Sequence, residues 1–175
     1  GSDGYTREYF TKHQRHDPSY SYDQASVIIE DGKVVSHLQV FHRLIRYGAG
    51  RIHVGAVADV ATAADHRRKG YATRLLQRAI RYMDEQDLSL SLLYTGTQSL
   101  YETSGWHIVP ATIMDAEVPT DVKPRPRAYI TKPFEKSHFR LLAGYYQEAM
   151  SNLIGPLDRS TEYFENQMEW LSARG

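Results

Sequence analysis

Residues 66–72 read His-Arg-Arg-Lys-Gly-Tyr-Ala, a run of cations where an amphipathic helix begins. A helix start has four N–H groups without intrahelical partners and a partial positive charge, so Arg67, Arg68 and Lys69 each cost about 0.3–1 kcal/mol there. An anion at the helix start reverses the sign, because the free N–H groups, the dipole and the cations then act together. Gly70 lets the backbone approach a phosphate closely, and Ala72 keeps the next turn small. These are the properties of a pyrophosphate cradle. The competing reading is a solvated basic turn whose arginines pair with distant acids. Neither G-x-G-x-x-G nor G-x-x-x-x-G-K-[ST] occurs, so the dinucleotide and P-loop versions of such a cradle do not apply.

Other chemistry is thinner. The 175 residues include no cysteine, which removes disulfides, thiolate metal sites and a cysteine nucleophile. Of eight histidines, His13 and His16 share a helical spacing and His37 and His42 lie on one strand with opposite parity. No acidic or histidine partner completes a metal set around them. His107, next to Trp106, reads as a sheet residue. Lys+Arg equals Asp+Glu at 21 each, so net charge implies no polyanionic partner. Arg125-Pro126-Arg127 is basic but lacks the aromatic interleaving of a nucleic-acid surface. No apolar run approaches the ~20 residues needed to span a membrane, and a cytoplasmic protein is expected. The thirteen tyrosines are expected at element ends, where an amphipathic ring packs and its hydroxyl reaches water. The leading Gly1-Ser2 pair reads as a cloning remnant and is set aside.

The elements that must position the cradle follow from periodicity. Residues 5–16 read as the tail of a helix ended by Asp17-Pro18. Residues 26–30 and 33–45 are β-rich runs around Asp31-Gly32, a strong hairpin signal. Tyr47-Gly48-Ala49-Gly50 makes a second turn, and residues 51–62 a third strand. From Ala72 the period changes: Ala72, Leu75, Leu76, Ala79, Ile80 and Met83 form one helical stripe. Residues 87–94 then read as a buried strand, and 98–104 as a short helix stopped by Gly105. Residues 106–118 read as a further strand interrupted at Pro110. The proline-rich 119–127 is a linker candidate. Beyond it come a strand at 128–134, a stripe of Phe139, Leu142, Ala143, Tyr146 and Met150, a break at Gly155-Pro156, and a helix capped by Ser160 that runs to Leu171. The fold class is α+β.

The stretch ATAADHRRKGYATRLL resembles motif A of the GNAT superfamily of acetyl-coenzyme A-dependent N-acetyltransferases, whose signature is [RQ]-x-x-G-x-[GA]. LSLLYTGTQSLYETSGW then resembles that family's later strand and its L-Y-x-x-x-G-[FW] element. The resemblance covers about residues 22–118. It sharpens toward the enhanced-intracellular-survival type, in which a T-H-R-R-R-G-like motif stands where Asp65 to Gly70 stand here. In that type a second, degenerate GNAT domain follows the first. The resemblance implies a central mixed, mostly antiparallel, twisted sheet flanked by helices. Residues 1–118 would be a catalytic domain without its first strand and helix, 119–127 a linker, and 128–175 the start of a truncated second GNAT-like domain.

The resemblance also implies roles. Val60, Ala61 and Thr62 would offer backbone groups to the pantetheine arm and thioester carbonyl. Arg67, Arg68, Lys69, Gly70, Tyr71, Ala72 and Thr73 would wrap the pyrophosphate. Gly96 and Thr97 would border the pantetheine channel where two parallel strands splay apart. Tyr101 matches the tyrosine that protonates the departing thiolate, which a phenol with a pKa near ~10 can do. Ala56 stands where several family members carry a glutamate base. Asp59, three residues on, is expected on the opposite strand face from Ala56 by parity. In the enhanced-intracellular-survival type the base is a C-terminal carboxylate, expected to lie beyond this chain.

The partners implied are acetyl-coenzyme A and a primary amine, from an aminoglycoside-like small molecule or a lysine side chain. No nucleic acid or membrane is implied, and pairing of residues 128–134 with a neighbouring chain leaves a homo-oligomer open. Two competing readings stay in place at this point. One is a coenzyme A-binding or interaction module without catalysis; the other is a phosphate-binding regulatory domain.

Overall fold

The computed structural model of the chain describes residue 11, residues 14–110 and residues 132–172. The linker reading at 119–127 and Arg125-Pro126-Arg127 lie outside the described residues, as do most of the strands expected at 106–118 and 128–134. The described residues 106–110 and 132–134 belong to no strand.

Four strands form one sheet in the order β1-β2-β3-β4, with β1 at Ala25–Glu30, β2 at Lys33–Tyr47, β3 at Gly50–Thr62 and β4 at Leu90–Leu92. The first two pairings are antiparallel and β3 pairs with β4 in parallel. Asp31 and Gly32 both take positive φ, 48° and 72°, between the paired residues Glu30 and Lys33. That is the type I′ geometry an Asp-Gly hairpin favours. The second hairpin closes at Tyr47 and Gly50, with Gly48 at φ 59°.

Helix α1, Tyr71–Glu85, packs on one sheet face. Leu38, Val40 and Val57 from the sheet meet Leu75, Leu76, Ala79, Tyr82 and Met83 in a buried cluster. The stripe differs from the sequence expectation. Ile80 is 41% exposed, and Tyr82 takes the core position instead. The Tyr82 hydroxyl reaches His42 Nε2 at 2.9 Å, so the ring is buried with its polar atom satisfied. Gly55 permits the close helix–sheet approach. A Cβ there would come within 2.8 Å of Met83 Cγ and 3.1 Å of Val40 Cγ1.

The strand expected at 87–94 shrinks to the three residues of β4, with Leu90 and Leu92 substantially exposed. Among the described residues β4 pairs only with β3, so one edge and much of its surface face outward. The short helix is α2, Gln98–Glu102, and Gly105 follows it at φ 100°.

The C-terminal region contributes α3, Phe139–Ala149, and α4, Thr161–Ser172. Ser160 Oγ accepts a hydrogen bond from the Tyr163 N–H, the expected cap. Between these helices residues 155–158 lie along β2 past the end of β1. Arg46 N–H donates to the Pro156 carbonyl at 2.9 Å, Gly155 N–H to the Arg46 carbonyl at 2.9 Å, and Asp158 N–H to the Leu44 carbonyl at 2.7 Å. Arg51 pairs with Asp158, and Arg46 donates to Gln147. The helical pair is thereby tied to the far end of the β2–β3 hairpin.

Candidate active site

Strand β3 reaches six residues beyond its last β4 partner. The parallel register runs Val54 to Leu90, Gly55 to Ser91 and Ala56 to Leu92, and then β4 ends. Val57 to Thr62 therefore continue with no β4 residue beside them, and the strands part. Val60, Ala61 and Thr62 lie on this extension. Gly96 and Thr97 follow β4, Thr97 as the N-cap of α2. A Cβ on Gly96 would meet no protein atom within 4 Å, so its surroundings are open.

The extension is held from the β2 side. Ser36 Oγ donates to the Ala61 carbonyl at 3.0 Å and lies 2.8 Å from Thr62 Oγ1. Arg67 Nε donates to the Thr62 carbonyl at 3.3 Å, which ties the cradle loop to the strand end.

The loop enters α1 through two left-handed residues, Arg68 at φ 62° and Gly70 at φ 77°. Such residues bend successive N–H groups to one side, as in backbone anion-binding concavities. Gly70 is the N-cap, with no side-chain cap hydrogen bond, and the first turn holds no acid. The first intrahelical bond runs from Arg74 N–H to the Gly70 carbonyl. The N–H groups of Tyr71, Ala72 and Thr73 precede it and have no intrahelical acceptor. Space at Gly70 is open, with nothing within 4 Å of a Cβ placed there. An uncapped, acid-free helix start flanked by cations fits a pyrophosphate.

The paired-turn reading holds for Lys69 alone. Its Nζ lies 3.6 Å from Glu30, which also meets His66 Nε2 at 3.2 Å. Among the described residues no carboxylate lies within 4 Å of Arg67 or Arg68. Lys69 also stands 5.9 Å over the Tyr71 ring. Asp65 lies 2.8 Å from His66 Nδ1, and that contact holds its carboxyl below the usual range.

Tyr101, on α2, is half-buried and set edge-on to Trp106, ring centroids 6.2 Å apart. Burial pushes its hydroxyl pKa up, opposed by a hydrogen bond with the Thr95 side chain. The phenol therefore holds its proton at neutral pH. A relay fixes the ring relative to the strand gap: Trp106 Nε1 donates to Ser91 Oγ at 3.0 Å, and Ser91 Oγ donates to the Gly55 carbonyl at 3.2 Å. Leu100 and Tyr101 both pack against the core cluster. Sequence reasoning missed Ser91 and Trp106 as supports. The signal was there, since a serine one residue before the strand end and an indole after the helix are both hydrogen-bonding residues beside the gap.

The largest correction concerns Asp59. Between His37 and Gln39 on β2 the pairing jumps from Ala61 to Ala58 on β3, so β3 carries one extra residue. This is a β-bulge, with Asp59 at φ 53°. Aspartate tolerates that left-handed conformation because its short side chain can hydrogen-bond locally. Parity is consequently reset. Val57 and Val60 both pack against the α1 core, although they are three residues apart. Ala56 pairs with Phe41 and Ala58 with Gln39, on the opposite face. The extra residue means that parity, which had set Asp59 opposite Ala56, no longer fixes the face it takes. His37 Nδ1 lies 3.0 Å from the Asp59 carbonyl, which can only accept, so the ring donates and fixes the bulge. Among the described residues no group of three His, Asp or Glu side chains is placed to hold a metal ion.

Residues 3–109, more than half of the chain, match the family model described as an acetyltransferase (GNAT) domain. A GCN5-related N-acetyltransferase from Anabaena variabilis superimposes with a TM-score of 0.69 at 24% identity, over 94% of this chain and 41% of that one. Eis1 from Mycobacterium abscessus superimposes at 0.64 and 15% identity, over 96% of this chain and 45% of that one. Glucosamine-6-phosphate N-acetyltransferase from Arabidopsis thaliana gives 0.50 at 17% identity, over 66% and 82%. The chain thus spans less than half the length of the first two. No curated protein sequence matches it. At these identities the likenesses are likenesses of fold.

Proposed function

Because the chain belongs to the acetyltransferase (GNAT) domain family, a family of acetyl-transferring enzymes, we propose that it moves the acetyl group of acetyl-coenzyme A onto a primary amine. The amine belongs to a small molecule of aminoglycoside type or to a lysine side chain. The reading rests chiefly on one observation: an uncapped, acid-free, cation-flanked helix start adjoins a gap between parallel strands.

Acetyl-coenzyme A, when bound, supplies an acyl thioester. The residues of this chain do the rest. Peptide N–H groups of Tyr71, Ala72 and Thr73, with Arg67, Arg68 and Lys69 around them, hold the pyrophosphate, and Gly70 admits it without steric contact. The backbone of Val60 to Thr62, unpaired on the β4 side, offers hydrogen bonds to the amide-bearing arm and steadies the carbonyl oxygen during attack. Gly96 and Thr97 border the opposite wall. Tyr101 carries a proton on its hydroxyl at neutral pH and gives it to the leaving thiolate, while the amine proton released on C–N bond formation passes to water, from which the phenol is reprotonated. In the same reading residues 128–175 open a second unit, its helices anchored to β2 by the segment at 155–158.

The test pairs acetyl-coenzyme A calorimetry with a thiol-release assay on an amine panel. Binding with amine-dependent release supports transfer. Binding without release, for every amine, would leave a coenzyme A-binding module.

A further inference from the structure

The carboxylate that pairs with Lys69 comes from outside the cradle loop. Glu30 ends β1, next to the Asp31-Gly32 turn that fixes its place. It makes no ion pair with Lys33, its cross-strand partner. Instead a single oxygen, Oε2, reaches the loop, 3.2 Å from His66 Nε2 and 3.6 Å from Lys69 Nζ. The other nitrogen of the same ring, Nδ1, lies 2.8 Å from Asp65. Lys69 stands 5.9 Å over the ring of Tyr71, the first residue of α1 and a buried one. The start of the loop is tied to the same hairpin, where Ala63 N–H donates to the Val35 carbonyl at 2.9 Å.

Arg67 and Arg68 stand between the two gripped residues, and Arg68 holds a left-handed φ of 62° without being a glycine. Such a backbone persists only where its surroundings over-determine it. One anchor before Arg68 and one after it supply that constraint. The same pairing spends the charge of Lys69 on the geometry of the loop. Arg67 and Arg68, with no carboxylate within 4 Å among the described residues, keep theirs for an anion. We propose that Glu30 is a positioning residue for the coenzyme: one carboxylate oxygen clamps His66 and Lys69 on either side of Arg67-Arg68 and presets the loop that receives the pyrophosphate. The inference deepens the acetyl-transfer reading and rests on the cradle that reading assigns. Its sign is opposite to that of plain electrostatics. A carboxylate near an anion site repels the anion, so removing its charge alone tightens binding. Removing a clamp weakens it.

The experiment titrates acetyl-coenzyme A, and separately inorganic pyrophosphate, into the full chain and into Glu30→Gln, Lys69→Gln and the double variant. The expected result is a Kd for acetyl-coenzyme A raised about fivefold in Glu30→Gln, the range of two partly exposed ion pairs. Binding stoichiometry should hold, and where an amine turns over, KM for the coenzyme should rise with kcat within about twofold. A purely structural glutamate would instead lower the stoichiometry with the folded fraction and leave Kd in place. Because either single change opens the clamp, the double variant should lose less than the product of the two single losses. Tighter binding by Glu30→Gln, a Kd changed by less than about twofold, or fully multiplicative losses in the double variant would each overturn the proposal. Pyrophosphate that binds with the expected ordering while acetyl-coenzyme A does not would remove the transfer reading and keep the clamp. Acetyl-coenzyme A that binds with that ordering but releases no thiol with any amine would do the same. If neither ligand binds the unsubstituted chain, clamp and cradle fall together.

Discussion

The two faces of β3 are built on different principles. On the α1 face, Val57 and Val60 join a closed apolar cluster, and the loop proposed as a coenzyme cradle leads into the helix that covers it. On the other face Ala56 pairs with Phe41 and Ala58 with Gln39, a mixed surface with buried polar groups. Gln39 Nε2 donates there to Gln24 Oε1 at 3.3 Å. The first face is a packed apolar platform beneath the proposed cradle. The second carries polar side chains between its apolar ones. One extra residue in β3 lets the same strand serve both.

The largest effect expected on the coenzyme side is chemical. Tyr101→Phe should lower kcat by about 100-fold or more, as removal of a general acid does, while acetyl-coenzyme A affinity stays within about twofold. Stopped-flow thiol release and calorimetry on the same sample separate the two quantities. Equal loss of both would show that Tyr101 shapes the binding site instead.

Next comes the cradle. Gly70→Asp places a carboxylate where the account puts an anion, in a conformation aspartate accepts. Acetyl-coenzyme A affinity should fall by about tenfold or more; the left-handed backbone at Gly70 also costs some stability, which denaturant unfolding of the variant reads separately. A coenzyme affinity that survives this change would disconnect α1 from pyrophosphate binding.

A packing change tests the same face without touching the ligand. Gly55→Ala drives a methyl into Met83 and Val40, and should destabilise the fold by about 1–3 kcal/mol. Denaturant unfolding reads it directly, and combined with Met83→Ala the two losses should sum to less than their separate values, because the smaller side chain relieves the clash.

The smallest effect is a pH slope. Burial pushes the His42 pKa below its usual value, with Asp23 opposing and His53 and Arg43 assisting. The folded chain therefore favours the neutral ring. Its contribution is fully present above the unfolded pKa of about 6.5 and is lost as pH falls toward the lower folded value. The thermal midpoint should drop between neutral and mildly acidic pH, and His42→Gln should flatten that slope.

The stretch proposed to hold the coenzyme was legible as structure because its signals are local. Residues 60–73 carry the strand end, the cations, the glycine and the first helical turn in one stretch, and Asp31-Gly32 announced its hairpin just as plainly. The bulge in β3 was not, for physical reasons. Period-2 reasoning assumes unbroken pairing, and a single inserted residue defeats it at Asp59. Tyr20 comes to Phe41 from a distant part of the sequence, by packing rather than by any motif. The helix stripe failed in a similar way, since an apolar tally favoured Ile80 over Tyr82, whose hydroxyl finds His42 only in the folded chain. The strand at β4 was overcalled because a run of leucines looks buried whether or not a neighbour covers it.

The central claim is that the N-terminus of α1 exists to hold the pyrophosphate of acetyl-coenzyme A. Titration of acetyl-coenzyme A into the chain and into Gly70→Asp, followed by calorimetry, tests it most directly. The account predicts saturable one-site binding to the unsubstituted chain and binding weakened by about tenfold or more in the folded variant. Absence of binding to the unsubstituted chain, or equal affinity in the two, would contradict it.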